Sequence, residues 1–256
     1  VEINGSVRGS VKIHAMGNIY IGGYVEDADI WSGQDIIIQD GVNAGENGRI
    51  EAMGNISARF FENAHIISHS DIKCDYMLNT TALAYGGIYL EGKRGSVIGG
   101  DVTGVRGICI KACGSESYSK TVLRVGVTKE ISSEYAKVLM VLKDIDTQID
   151  RFNQALQKLD ILKKAGSDKF DETLNRKLLQ SKIVKTAEKA KYEEKSRNLY
   201  TLVRESDRAV VRIDKNIYPG SRVFMGDKTY VPSTVFTHVA LKKTSQGVLI
   251  RNYDSM

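Results

Sequence analysis

The chain has 256 residues, of which 42% are hydrophobic and 26% are charged, as in a globular protein of one large or two smaller domains. Its formal net charge of +5 is too small to indicate nucleic-acid binding by itself. Three cysteines without CxxC spacing give no signal of a disulfide framework or a zinc knuckle, and they fit a reducing compartment. No apolar run is long enough to predict a membrane span. Val1 already lies within the repeat described next, so we expect a segment to precede it in the native protein.

The first half of the chain repeats itself. The phrase IHAMGNI begins at Ile13 and IEAMGNI begins at Ile50. Around these phrases, apolar residues fall into three columns that recur every 16 to 20 residues. The first column is Ile13, Ile30, Ile50, Ile66, Leu83 and Val102; the second is Ile19, Ile36, Ile56, Ile72, Ile88 and Ile108; the third is Val7, Val25, Val42, Phe61, Met77 and Val97.

Positions in the first two columns are usually followed, two residues later, by another small or apolar residue, which predicts a very short strand with one face inward. Glycine, asparagine, serine and aspartate stand between the columns, where the chain must turn. Three short strands and three corners per repeat predict a parallel β-solenoid whose turns stack at roughly 4.8 Å. An antiparallel sandwich with a chance echo is the weaker alternative, because it has no fixed columns.

The pattern changes after residue 128. Apolar residues then follow a 4-3 spacing typical of a coiled-coil helix: Ile131, Tyr135, Val138, Leu142, Ile145, Ile149, Phe152, Leu156 and Leu159. Gly166 ends this helix, and we expect Ser167 or Asp168 to cap the next one. The second helix, to about Glu205, has a poorer apolar set: Phe170, Leu174, Leu178, Ile183, Ala187, Ala190, Leu199 and Leu202. We therefore predict a long antiparallel helical hairpin over residues 129–208.

The β pattern returns after the hairpin. Val211 with Ile213, then Ile217, then Val223 predict short strands around the corner Pro219-Gly220. We expect two further solenoid turns here and a short C-terminal strand near Val239 to Leu241. The predicted organisation is thus a β-solenoid over 1–128, a helical insertion over 129–208, and a return to β structure over 209–256.

Several phrases together resemble one bacterial family. The I-x-A-x-G-[ND]-I phrases, the stretch SVIGGDVTGVRGICIKACGS, the stretch TVLRVGV and the return IYPGSRVFMGDKT resemble flagellar assembly protein A over nearly the whole chain. The resemblance implies a right-handed parallel β-helix with a coiled-coil insertion. It also implies a cytoplasmic bacterial protein that acts through protein contacts in flagellar assembly or polar placement. Family members usually carry an extra domain before the helix, which does not lie within these 256 residues. The resemblance implies no catalytic residues and no cofactor.

Motifs with possible chemistry are weak. GIYLEGKR from Gly87 matches a phosphate loop except that Arg94 replaces the Ser or Thr that holds magnesium, and no helix follows. His65, His69 and Cys74 have only a loose metal-ligand spacing, and His65 should point outward. The cysteines at 74, 109 and 113 fit small core hydrophobes. We expect the aromatic residues beside inward positions to face out, where they either cover the strands or form a stripe for a partner: Tyr20, Tyr24, Trp31, Tyr76, Tyr85 and Tyr89.

The strongest candidate for an interaction site is a basic run on the second helix. It has eight cationic residues against three glutamates: Arg176, Lys177, Lys182, Lys185, Lys189, Lys191, Lys195 and Arg197. Such a run suits an acidic partner, an anionic membrane surface or nucleic acid, although a solvated coiled-coil face is the favoured interpretation.

The leading hypothesis is a non-enzymatic scaffold that binds protein partners and forms a dimer or small oligomer, because the first helix has more apolar surface than the second can cover. One alternative is a left-handed hexapeptide acyltransferase with His14 at its site, but coils of 16 to 20 residues depart from the regular 18 of that class. Another is nucleic-acid binding through the basic run, which predicts strong salt dependence. No cofactor, metal ligand or catalytic residue is predicted.

Overall fold

The chain divides into two compact units. The first consists of Val1–Val127 together with Arg204–Met256, and the second is Thr128–Val203. A computed structural model describes residues 1–45, 48–127, 129–206 and 208–252, without the side chains of residues 129 and 130. Among these residues, all the strands lie in the first unit, and the second unit is helical.

The first unit is a parallel β-solenoid of about six turns, with two helices inserted between its strands. Strands of the second column form one ladder: β1 (Glu2–Ile3), β3 (Ile19–Ile21), β5 (Ile36–Ile38), β8 (Ile56–Ser57), β11 (Ile72–Cys74), β13 (Gly87–Leu90), β15 (Gly107–Ile110) and β18 (Val210–Ile217). Strands of the third and first columns are β2 (Val7–Ala15), β4 (Val25–Ser32), β6 (Gly41–Asn43), β7 (Arg49–Ala52), β9 (Phe60–Glu62), β10 (His65–Ser68), β12 (Tyr76–Ala84), β14 (Ser96–Gly104), β16 (Ala112–Cys113), β17 (Thr121–Val125) and β19 (Ser221–Met225). Neighbouring strands of successive turns pair in parallel throughout these ladders.

Two of the three predicted columns are confirmed at every position. The isoleucines of the second column pair from Ile19 to Ile108 in the predicted order, and each is fully buried. The third column pairs from Val7 to Val97 as predicted and continues through Cys113 to Ile217. These stacked aliphatic side chains form one continuous core, in which each turn covers the apolar face of the next.

The first column contains one error of prediction. Ile66 pairs with Ala82, and Ala82 pairs with Val102, so Leu83 is not a member. Ala82 is 2% exposed, whereas Leu83 is half-buried on the outer face. The chain needs five residues from Phe61 to Ile66, and the same five-residue step from Met77 ends at Ala82. The length of the corner therefore decides which residue enters the column, although Leu83 is more apolar than Ala82.

At the corner before the second column, Asn and Asp side chains accept backbone N–H groups of the next turn. These hydrogen bonds explain why Asn or Asp recurs at this corner. The amide oxygen of Asn18 accepts the backbone N–H of Asp35 at 3.0 Å, and the Asp35 carboxylate accepts that of Asn55 at 2.6 Å. The amide oxygen of Asn55 accepts the N–H of Asp71 at 3.2 Å, and the Asp71 carboxylate accepts that of Gly87 at 2.7 Å. Each turn thus satisfies a backbone donor that the corner leaves without a strand partner.

The opposite corner, between the third and first columns, depends on left-handed backbone angles. Asp27, Asn63, Asn79 and Gly99, in four of the turns, have φ values of 50°, 47°, 47° and 70°. Asparagine, aspartate and glycine tolerate this region better than other residues, because a short polar side chain or no side chain avoids the steric clash. The corner residues of the repeat are therefore set by backbone conformation rather than by burial.

The solenoid continues for one turn after the helices and is then covered by antiparallel strands. β18 and β19 pair in parallel with the preceding turn. β20 (Lys228–Tyr230) pairs antiparallel with β19, β21 (Phe236–Lys243) pairs antiparallel with β18, and β22 (Val248–Asn252) pairs antiparallel with β21. The prediction of two further turns was wrong, because Val211, Ile217 and Val223 supply the three columns of a single turn. The predicted strand near Val239 to Leu241 is confirmed within β21.

Candidate interaction surface

The helical unit, here called the arm, consists of α1 (Lys129–Lys164) and α2 (Glu172–Ser206). Lys189 Nζ lies 2.7 Å from Asp146, and Lys195 Nζ lies 2.7 Å from Glu134. These pairs join the first half of α1 to the second half of α2. The hydrogen bonds to Asp146 and Glu134 raise the pKa values of Lys189 and Lys195 above the ordinary lysine value.

The start of α2 differs from the expectation. Asp171 caps the helix, because its carboxylate accepts the backbone N–H groups of Thr173 at 2.8 Å and Leu174 at 3.0 Å. Neither Ser167 nor Asp168 is the cap of α2. Asp171 stands immediately before the first helical residue and offers the same cap chemistry.

The 4-3 apolar set of α1 is its buried side. Ile131, Val138, Ile145 and Leu159 are between 1% and 7% exposed, and the other members of the set are half-buried. Met140, which lies outside the set, is 73% exposed. The heptad pattern therefore identified the packed face of α1 correctly.

The packed face of α2 is not the predicted apolar one. Ile183 is 69% exposed and Leu174 is 45% exposed, and Ala187 and Ala190 are also exposed. The half-buried or buried positions follow a 3-4 spacing through polar residues: Asn175, Leu178, Lys182, Lys185, Lys189, Tyr192, Ser196, Leu199 and Val203. Lysine can occupy such a face because its alkyl stem covers apolar surface while its ammonium group stays in water.

The eight cations of the predicted basic run therefore fall into two groups, those that are packed or paired and those that are exposed and unpaired within the described part of the chain. Lys182, Lys185 and Lys189 lie on the packed face, and Lys185 and Lys189 each pair with a carboxylate. Lys195 is exposed but pairs with Glu134. The exposed cations with no carboxylate in ion-pair range among the described residues are Arg176, Lys177, Lys191 and Arg197. Whether the run binds an acidic partner stays a prediction, and only about half of it is available for one.

A shallow groove runs along the arm beside the Glu134–Lys195 pair. Val138, Val141 and Lys137 of α1 and Tyr192 of α2 are among its lining residues. Lys195 also lines the groove, and its charge is paired with Glu134.

The phosphate-loop match is a strand and a corner. Gly87 begins β13, and its backbone N–H donates to the carboxylate of Asp71. Ile88 and Leu90 are core residues of that strand. A phosphate would have to displace a carboxylate at this position, so the segment offers no phosphate cradle.

The histidines lie on the outer surface of the solenoid. His14 packs on Trp31 with ring centroids 4.1 Å apart, and His69 stacks on Tyr85 at 4.8 Å with an interplanar angle of 7°. His65 is exposed. Within the described residues, no group of three His, Cys, Asp or Glu side chains is close enough to hold a metal ion.

An aromatic row on one face of the solenoid was only partly foreseen. The rings of Phe60 and Tyr76 stack with centroids 5.1 Å apart and 11° between planes, and Tyr24 lies 6.2 Å from Phe60. The Arg94 guanidinium lies 4.5 Å from the centre of the Tyr76 ring. Gly41 occupies the intervening turn, and a side chain there would overlap the Phe60 ring. The sequence reasoning missed Phe60, although its place directly before the third-column Phe61 marks it as outward.

The cysteines lie as expected for core or near-core residues. Cys74 and Cys113 are buried and Cys109 is half-buried. Burial raises the pKa of Cys113 to about 12, and it also raises the pKa values of Cys74 and Cys109. Low thiolate content makes all three poor nucleophiles at neutral pH.

These features define a parallel β-solenoid with two helices inserted. Residues 1–246 match the family described as the Flagellar Assembly Protein A beta solenoid domain, so the chain belongs to this family. The predicted resemblance is thereby confirmed. No curated protein and no solved structure matched the chain. Among the described residues, no helix is long and apolar enough to cross a membrane.

Proposed function

We propose that this protein is a non-enzymatic scaffold that acts through protein–protein contacts in bacterial flagellar assembly or polar organisation, in the cytoplasm and as a dimer. The single observation that carries the proposal is the family match over residues 1–246. The aromatic row of Tyr24, Phe60 and Tyr76 and the exposed cations of α2 support it, because they are surfaces on which a protein partner can bind. Scaffolds of this kind present rigid, repetitive surfaces on which partners can be placed.

The proposal includes the handedness of the solenoid and the arrangement of the two helices. The solenoid, over 1–128 and 209–256, is right-handed, as the family resemblance implies. The arm, over 129–208, is an antiparallel coiled-coil hairpin. The Lys189–Asp146 and Lys195–Glu134 pairs support this arrangement, because they match residues in reversed order along the two helices.

The arm is the part to test for partner binding. A β-carbon added at Gly126 would lie 3.9 Å from Cβ of Ser206, so the ends of the insertion are close in space. A short Gly-Ser linker can therefore replace residues 129–206 without stretching the solenoid. Trp31, the only tryptophan, reports whether the solenoid of the armless variant remains folded.

The experiment compares the full chain with the armless variant in the source bacterium. We expect the armless protein to accumulate normally but to lose partner capture and to reduce the number of flagella per cell or displace them from the pole. Flagella are counted by electron microscopy and captured proteins are identified by mass spectrometry. Normal flagellation in a strain lacking the whole protein would contradict the proposed function.

A further inference from the structure

α2 carries a second regular stripe that α1 does not cover. Its residues repeat with the 4-3 spacing of a helix-packing face, one position beyond the face that packs on α1. All of them are exposed, with Ile183 at 69% and Leu179 at 44%. We call this set the outer stripe: Glu172, Arg176, Leu179, Ile183, Thr186, Ala190, Glu193 and Arg197.

The outer stripe is complementary to itself when it is read backwards. Reversal about its midpoint places Ile183 opposite Thr186 and Leu179 opposite Ala190. Each large apolar residue thus meets a smaller one, as layers of interdigitating side chains require.

The charged ends of the stripe follow the same rule. Reversal places Arg176 opposite Glu193 and Glu172 opposite Arg197, so both outer layers join opposite charges. Among the described residues, Arg176, Glu172 and Arg197 have no oppositely charged side chain within ion-pair distance. Glu193 has a neighbour on its own helix, Lys189, at 3.6 Å, and its side chain remains half exposed.

The reversal also fixes the register. A shift by one heptad would place Leu179 opposite Arg197 and Ile183 opposite Glu193, which buries charges against apolar side chains. The opposite shift would place Arg176 opposite Thr186 and Glu172 opposite Ala190, so both ion pairs would be lost. Of these three alignments, only the unshifted one joins opposite charges in both outer layers. Two α2 helices that pack antiparallel about a two-fold axis are aligned in this way. Residue i of one copy then contacts residue j of the other, and residue j of the first copy contacts residue i of the second.

We propose that a second copy of this chain covers the outer stripe, with the two α2 helices antiparallel and Arg176 of each copy paired with Glu193 of the other. The inference rests on the proposed contact function of the arm and specifies its first partner. The stripe spans about 25 residues, or roughly 38 Å of helix. A contact limited to one face of one helix is small for a specific interface, and we expect a dissociation constant in the micromolar range.

The test is a charge exchange in the full 256-residue chain, followed by sedimentation equilibrium between about 1 and 200 µM, the range set by that expected affinity. Wild type changes from a monomer of 28.3 kDa toward twice that mass as concentration rises. Arg176→Glu and Glu193→Arg each place like charges at two symmetric layers, and each raises the dissociation constant at least about tenfold. The double variant Arg176→Glu/Glu193→Arg pairs opposite charges again and returns to within about threefold of wild type.

Lys177→Glu is the matched control. It makes the same change in charge, one residue further along and off the stripe, and it leaves the dissociation constant unchanged. Circular dichroism of each variant verifies that the helices are intact. A wild type that stays monomeric at the highest concentration, a double variant that does not recover, or an equal effect of Lys177→Glu would each overturn the proposal.

The outcome is separable from the proposed function. If Arg176→Glu is monomeric but supports normal flagellation, the dimer exists and the scaffold works without it. If every stripe variant behaves as wild type while the armless variant loses partner capture, the stripe proposal fails and the contact function stands.

Discussion

The carboxylate of Asp35 accepts the backbone N–H of Asn55 at 2.6 Å, twenty residues along the chain and one turn along the solenoid. The backbone N–H of Asp35 itself donates to Asn18 at 3.0 Å. Asp35 therefore links three successive turns at one corner. The strands that follow this corner, β3, β5 and β8, are only two or three residues long. These links therefore supply part of the order that longer strands supply in other sheets.

Removing this link should destabilise the solenoid. We expect Asp35→Ala to lower the free energy of unfolding by about 1–3 kcal/mol, because the Asn55 N–H loses a charged acceptor. Asp35→Asn keeps a carbonyl oxygen in place and should cost less than about 1 kcal/mol. Urea unfolding followed by Trp31 fluorescence measures both. Gln34→Ala, an exposed neighbour, is the control and should change stability by less than about 0.5 kcal/mol; equal losses at 34 and 35 would refute the linking role.

The solenoid could be predicted from the sequence because its buried positions recur periodically. The second and third columns repeat one buried position per turn, and aliphatic burial dominates there. Leu83 was misassigned because apolar character was weighed above corner length, and the left-handed Asn79 sets that length. The C-terminal strands were harder to predict, since antiparallel and parallel pairing of a short apolar strand leave the same pattern in the sequence.

The candidate surface was less predictable than the fold. α1 shows its packed side as a clean apolar heptad, but α2 packs through Lys182, Lys185 and Lys189. The sequence does not distinguish a lysine on a packed face from a solvated one, because the alkyl stem can be buried while the ammonium group stays in water. The basic run was thus visible as composition, whereas its division between packed and exposed residues required the contacts of Asp146 and Glu134.

The lysines on the packed face of α2 should limit the stability of the arm. Lys182 is half-buried and has no carboxylate in ion-pair range among the described residues. We expect Lys182→Leu to stabilise the helices by about 1 kcal/mol, because more apolar surface is buried beside α1. Thermal unfolding followed by helical circular dichroism measures the change, while Trp31 fluorescence should show no change. Lys177→Leu, on the exposed side, is the control; a similar gain there would indicate helix propensity rather than packing.

Gly41 should be required for the aromatic row. An added β-carbon would lie 2.2 Å from atoms of the Phe60 ring, far inside van der Waals contact. We expect Gly41→Ala to displace this ring from Tyr76 and to destabilise the solenoid by about 1–3 kcal/mol. Gly17→Ala is the control, because nothing lies within 4 Å of its added carbon. Urea unfolding compares the two variants, and the absence of a difference between them would show that the ring moves aside without cost.

The three thiols should differ in reactivity and make the solenoid sensitive to alkaline pH. At a pH of about 8, we expect Ellman's reagent to modify half-buried Cys109 first and to reach Cys74 and Cys113 only after unfolding. Burial raises the pKa of Cys113 to about 12, while an unfolded thiol ionises near about 8.5. The stabilising contribution of the protonated thiol is therefore complete below that lower value and is lost as pH rises toward 12. Cys109→Ser should abolish the fast reaction with Ellman's reagent. The free energy of unfolding should fall from about pH 8.5 upward in this variant as in wild type, since the two buried thiols remain. Rapid modification of more than one thiol in the native chain would contradict the placement of Cys74 and Cys113 in the core.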